Sequence, residues 1–79
     1  MKIATYRVHL GDYCQVIKVI NDETKSTYNI EFSFTQLDNK LVEILKEQEI
    51  NRLFLFAPKV IKDHIKQLIR KAELKVEII

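Results

Sequence analysis

Hydrophobic and polar positions alternate first with a period of two and later with a period near 3.6. That switch predicts the elements of the chain in order. Ile3 to Leu10 reads as a strand, with Tyr6, Val8 and Leu10 on one face and Thr5, Arg7 and His9 on the other. Gly11-Asp12 marks a turn, and Tyr13 to Ile20 reads as a second strand. Cys14, Val16 and Ile20 share one face of it while Ile17 and Val19 lie opposite, so both sides are expected to be covered. Asn21 to Ser26 is a polar hairpin loop without glycine. Thr27 to Phe34 then alternates cleanly, Tyr28, Ile30, Phe32 and Phe34 against Thr27, Asn29, Glu31 and Ser33. One apolar and one wet face predicts an antiparallel strand at a sheet edge.

The period then changes. Thr35 offers an N-cap with Asp38 three residues later, and the helix it opens runs to about Glu49 on Leu37, Leu41, Ile44 and Leu45. Arg52 to Ala57 carries Leu53-Phe54-Leu55-Phe56-Ala57 without alternation, which predicts a central strand covered on both faces. Pro58 suits the start of a second helix, Lys59 to Ala72, burying Ile61, Ile65, Leu68 and Ala72 with Val60 and Ile69 beside them. Leu74 to Ile79 reads as a final strand.

Short turns between the first three strands predict an antiparallel meander. The strand-helix-strand-helix-strand remainder predicts two right-handed crossovers and a parallel segment. The expected fold is therefore α/β (α+β), a mixed five-stranded sheet in the order β-β-β-α-β-α-β with two helices. A ferredoxin-like α+β sandwich is the alternative, and it would require one of the first three strands to be non-structural. At 79 residues the chain is one domain, and its 47% hydrophobic content with one Gly and one Pro is that of a folded protein. No repeat, linker or low-complexity segment interrupts it.

This element order resembles a minimal ribonuclease H-like fold, in which a meander leads into two crossover units. Thr27-Tyr28-Asn29-Ile30-Glu31 is similar to the Thr-x-Asn-x-x-Glu stretch near the first helix of that family, one residue shorter. The resemblance implies a two-metal nuclease whose carboxylates sit on the first strand and at the end of the fourth. Tyr6 or Arg7 and Pro58 stand at those places instead. The nuclease chemistry is expected to be absent, and displaced acids such as Asp12, Glu31 and Asp63 are the remaining route to it.

Charge changes the picture further. Residues 1–50 carry six Lys/Arg against eight Asp/Glu, and residues 51–79 carry seven against three, so the net +2 hides a basic C-terminal third. Lys59, Lys62, Lys66 and Arg70 recur at helical spacing opposite the apolar face of the second helix, with Lys71 and Lys75 nearby. Such a stripe can neutralise phosphates or dock an acidic protein, or simply be a solvated face. Thr5, Arg7 and His9 form a candidate polar face on the sheet, with Arg7 as an anion anchor, against the plainer reading of an uncovered sheet side. Val76, Ile78 and Ile79 form an apolar terminal strand that a second copy could cover, making a homodimer plausible.

Cys14, His9 and His64 do not assemble into a nucleophile, base and orienter in the sequence. Tyr6, Tyr13 and Tyr28 read most simply as strand residues with buried rings and wet hydroxyls. A lone cysteine excludes an internal disulfide and a thiolate zinc cage, and fits a reducing, cytoplasmic setting. No metal or cofactor motif, signal peptide or membrane span is expected. The reading is a non-enzymatic binding or accessory protein engaging a protein partner or a nucleic-acid backbone. Accessory and inhibitor proteins of mobile elements are an analogy of size.

Overall fold

The computed structural model describes residues 1–79. Its elements are β1 (Lys2–Arg7), β2 (Cys14–Asn21), β3 (Thr27–Ser33), a 3-10 turn (Phe34–Gln36), α1 (Leu37–Glu47), β4 (Arg52–Phe56), α2 (Lys59–Lys71) and β5 (Glu77–Ile78). The strands form one five-stranded mixed sheet in the order β3-β2-β1-β4-β5. β1 pairs antiparallel with β2 and parallel with β4, β2 pairs antiparallel with β3, and β4 pairs parallel with β5. A meander followed by two crossovers is the arrangement that the ribonuclease H-like resemblance implies.

The strand order fixes where the helices go. β3, β4 and β5 are mutually parallel, and both crossovers move in the same direction across the sheet. Right-handed connections then place α1 and α2 on the same face. One core results, in which Ala4, Tyr6 and Val8 of the β1 segment, Ile17 and Val19 of β2, and Leu53 and Leu55 of β4 meet Leu41, Ile44 and Leu45 of α1 and Ile65 and Ile69 of α2.

This one-sidedness corrects two sequence expectations. β4 is interior in the sheet, between β1 and β5, but covered on one face only: Leu53 and Leu55 are buried, Phe54 is half-buried and Phe56 is 48% exposed. β2 turns Gln15, Ile17 and Val19 to the core, leaving Cys14 and Val16 exposed and Ile20 half-buried. An unbroken apolar run signals two apolar faces, and here the second has no layer above it.

Boundaries also move. β1 stops at Arg7, and Leu10 lies exposed in the turn at Gly11, whose φ of +90° suits glycine. Thr35 does not cap a helix: the Ser33 hydroxyl accepts from the Thr35 N–H at 3.3 Å and caps the 3-10 turn, so α1 begins two residues later, at Leu37. Asp38 turns instead to His64. On α2, Val60 is 81% exposed and Ala72 is exposed, while Ile61 and Leu68 are half-buried. The final strand is two residues long because only Glu77 and Ile78 register with Arg52 and Leu53. No helix is long and apolar enough to cross a membrane.

Candidate macromolecule-binding surfaces

Helix α2 is built to show one face. Pro58 precedes it in an extended conformation, ready to start a helix without losing a hydrogen bond. Ile65 and Ile69, one turn apart, anchor the helix to the core. The remaining positions carry the charge: Lys59, Lys66, Arg70 and Lys71 are exposed and Lys62 is half-buried. None of the five is within ion-pair distance of a carboxylate, although Lys25, Lys40 and Arg52 each find one. Asp63 is the only acid on the helix. Arg70 and Lys71 stand in the last turn, where the helix dipole favours cations.

The second surface is the open side of the sheet. Strand registers align Ile3 with Ile20 and Arg52, Thr5 with Lys18 and Phe54, and Arg7 with Phe56 across neighbouring strands. The Arg7 guanidinium lies 5.2 Å from the centre of the Phe56 ring, a cation–π distance. Thr5 is half-buried between its neighbours. His9 lies past the end of β1, and its backbone is held by Gln15, so it does not join Thr5 and Arg7 in one site. The three polar residues named from the sequence therefore sit on or beyond a mixed apolar and cationic sheet face.

The terminal segment divides. Val76 and Ile78 pack against the core, while Ile79, hydrogen-bonded to Leu53 and Leu55 of β4, is nearly half exposed. Its free edge offers only a two-residue strand.

Two features escaped the sequence reading. Gln15 is fully buried and spans the β1–β2 turn: its Oε1 accepts from the Tyr6 hydroxyl at 2.9 Å and the His9 N–H at 3.0 Å. Its Nε2 donates to the carbonyls of His9 and Asp12, both at 2.9 Å. Strand parity with Ile17 and Val19 is the signal that could have found it. The other is a cleft of about 610 Å³ between the starts of α1 and α2, lined in part by Leu37, Val60 and Ile61. Within it His64 Nε2 and Asp38 Oδ1 are 2.9 Å apart, tying the two helices together.

Acidic and nucleophilic groups stay apart. Asp12 is in the β1–β2 turn, Glu31 on β3 and Asp63 on α2, and no three His, Cys, Asp or Glu side chains converge into a metal-binding group. Cys14 is exposed on the open side of the sheet, with the sheet between it and His64.

No family model matches this chain, and no curated protein does. Among solved structures, YeaZ from Pseudomonas aeruginosa superposes over 99% of the chain with a TM-score of 0.48 and 6% sequence identity. The chain spans 42% of that structure, and the likeness is one of topology.

Proposed function

We propose that this chain is a non-enzymatic binding module that engages an acidic macromolecular partner through the exposed face of α2. The observation that carries the reading is that Lys59, Lys62, Lys66, Arg70 and Lys71 lack an ion-pair partner on a helix already anchored by Ile65 and Ile69. Their charge contributes nothing to the fold through pairing, so it is free for an external anion.

A nucleic-acid backbone is the second reading, favoured by spacing. Lys59 to Arg70 covers about 16 Å of helix in steps of about 4.5 to 6 Å, a regular cationic row suited to a repeating anion. Salt separates this from apolar docking. Three phosphate contacts would weaken binding about 40-fold between 50 and 200 mM salt, by release of condensed counterions.

Anisotropy titrations against short single-stranded, duplex and hybrid nucleic acids, and against an acidic peptide, test both readings. A Lys62→Glu/Lys66→Glu/Arg70→Glu variant is the control. Nucleic-acid binding that falls with salt and is lost in the variant supports the backbone reading. Binding only to the acidic peptide, lost in the same variant, supports a protein partner. Absence of both at low salt makes the stripe a solvated face and ends the proposal.

A further inference from the structure

The sheet's other edge carries a more specific message than its C-terminal one. β3 is a seven-residue edge strand, Thr27–Ser33, paired on one side only. Natural edges are usually blunted by lysine, proline, a bulge or extreme shortness. This one has no lysine or proline, its single charge is the exposed Glu31, and its register with β2 is unbroken from Cys14↔Ser33 to Ile20↔Thr27.

The direction of each backbone group follows from the ends of that ladder. The Phe34 N–H donates to the Tyr13 carbonyl at 2.7 Å, and the Asn21 N–H donates to the Ser26 carbonyl at 2.9 Å. In an antiparallel pair, hydrogen-bonded positions alternate. Phe32, Ile30 and Tyr28 therefore direct their amides to β2, while Thr27, Asn29 and Glu31 direct theirs outward.

We propose that this edge pairs with β3 of a second copy of the chain, antiparallel and centred on Ile30, joining two sheets into one of ten strands. Only backbone groups of Thr27, Asn29, Glu31 and Ser33 can form the new bonds, which restricts the allowed registers to alternate steps. Centring on Glu31 sets two carboxylates face to face. Centring on Asn29 leaves the end of the strand unmatched. Centring on Ile30 pairs all seven residues: Thr27 with Ser33, Tyr28 with Phe32, Asn29 with Glu31, and Ile30 with itself. Asn29 then offers its amide to the second copy's Glu31, and the half-buried Ile30 and exposed Tyr28 gain apolar cover on the helix side.

The surface beside the edge is compatible with that symmetry. A groove of about 260 Å³ runs between β3 and α1, with Ile30, Phe32 and Ile44 among its lining and Lys40, Glu43 and Glu47 on α1. The Tyr28 hydroxyl donates to Gln48 near the end of α1, so α1 runs antiparallel to β3 along this groove. A two-fold axis at Ile30 brings Lys40 of each copy, which pairs with Glu43 of its own chain at 3.4 Å, toward the other copy's Glu47, opposite charges facing. α2 connects the strands at the far side of the sheet, so this pairing leaves its basic face free on both copies.

Sedimentation equilibrium of the full chain, carried to about 1 mM, reads the dimer directly. Asn29→Pro removes one outward donor without touching the β2 ladder, and raises the dimer dissociation constant at least about tenfold, a 1.4 kcal/mol loss. Glu31→Lys, remote from the core, weakens it in the same direction if the proline variant fails to fold. For the register, Ile30→Cys in a Cys14→Ser background forms an intermolecular disulfide on mild oxidation. A non-hydrogen-bonded antiparallel pair has Cα atoms about 4.5 Å apart, within disulfide range. A wild-type chain that stays monomeric throughout overturns the proposal. So does a dimer indifferent to both edge variants, or one that cross-links through Ile79→Cys and not Ile30→Cys, which would place it at β5.

Discussion

Gln15 shows how a single polar side chain can be buried in a small core. A glutamine amide has two donors and two acceptor sites, and here all four are engaged by Tyr6, His9 and Asp12. No buried side-chain nitrogen or oxygen is left without a partner. The Tyr6 ring also meets Phe32 edge-on at 5.4 Å, so the same residue joins the turn to the core. Burial pushes the Tyr6 phenol up to about 12 by penalising its ionised form. The native state thus keeps a proton that the unfolded chain releases near pH 10. The contribution is fully present below pH 10 and is lost as pH rises from 10 toward 12. Tyr6→Phe is expected to flatten that alkaline decline while costing about 1 kcal/mol at neutral pH, since Gln15 Oε1 retains the His9 N–H. Urea midpoints for both proteins from pH 7 to 11.5 provide the check; parallel curves would mean that Tyr6 does not titrate on unfolding.

Both helices end in the same way, within two residues of where the sequence places their ends but by a motif the sequence does not announce. Glu49 donates to the Lys46 carbonyl and Ile50 to the Leu45 carbonyl, at 3.2 and 3.1 Å; Glu73 donates to Arg70 and Leu74 to Ile69, at 3.1 and 3.2 Å. These are paired Schellman motifs, with the apolar residue after the turn folded back toward the core. The left-handed position belongs to glycine by preference, yet Glu49 and Glu73 occupy it at φ of 55° and 56°. A glutamate there carries both the steric cost of positive φ and an unfavourable charge at the negative end of the helix dipole. Glu49→Gly and Glu73→Gly are each expected to stabilise the protein by about 1 kcal/mol, read as a higher urea midpoint at unchanged slope. The helices themselves were readable because Leu37, Leu41, Ile44 and Leu45, and then Ile65 and Leu68, repeat at helical spacing. Their ends were readable to within two residues, at Glu47 and Lys71, but the Schellman turns were not, because a glutamate in a glycine position gives no stop signal. Gln15 was missed for a related reason: its parity with Ile17 and Val19 marks it as inward, but its composition marks it as wet. The basic row on α2 was visible as a row, and its lack of acidic partners became visible only once the neighbouring elements were in place.

At the scale of the whole molecule, the governing fact is that 79 residues make one core on one side of one sheet. Sixteen residues are buried, and fifteen of them form a single cluster, so no second core can absorb a defect. A domain of this size has about 4 to 12 kcal/mol of stability in total. Leu53 and Phe54 are sequence neighbours that test this asymmetry because they point to opposite faces of β4. Leu53 is wholly buried between Ala4 on β1 and Ile78 on β5. The Ala4 methyl has no rotamer with which to lean into a vacated space, so Leu53→Ala should leave most of its cavity open and cost about 3 to 5 kcal/mol. Phe54 removes more carbon when cut to alanine, but it does so from the open face, where water already reaches the ring. Its loss should cost about 1 kcal/mol, despite the larger deletion. Urea unfolding of the two variants at matched low concentration decides the matter. Leu53→Ala near collapse beside a nearly intact Phe54→Ala is the signature of a one-sided core. Equal losses would mean that the open face is covered in solution, and the covering layer would then have to be a partner.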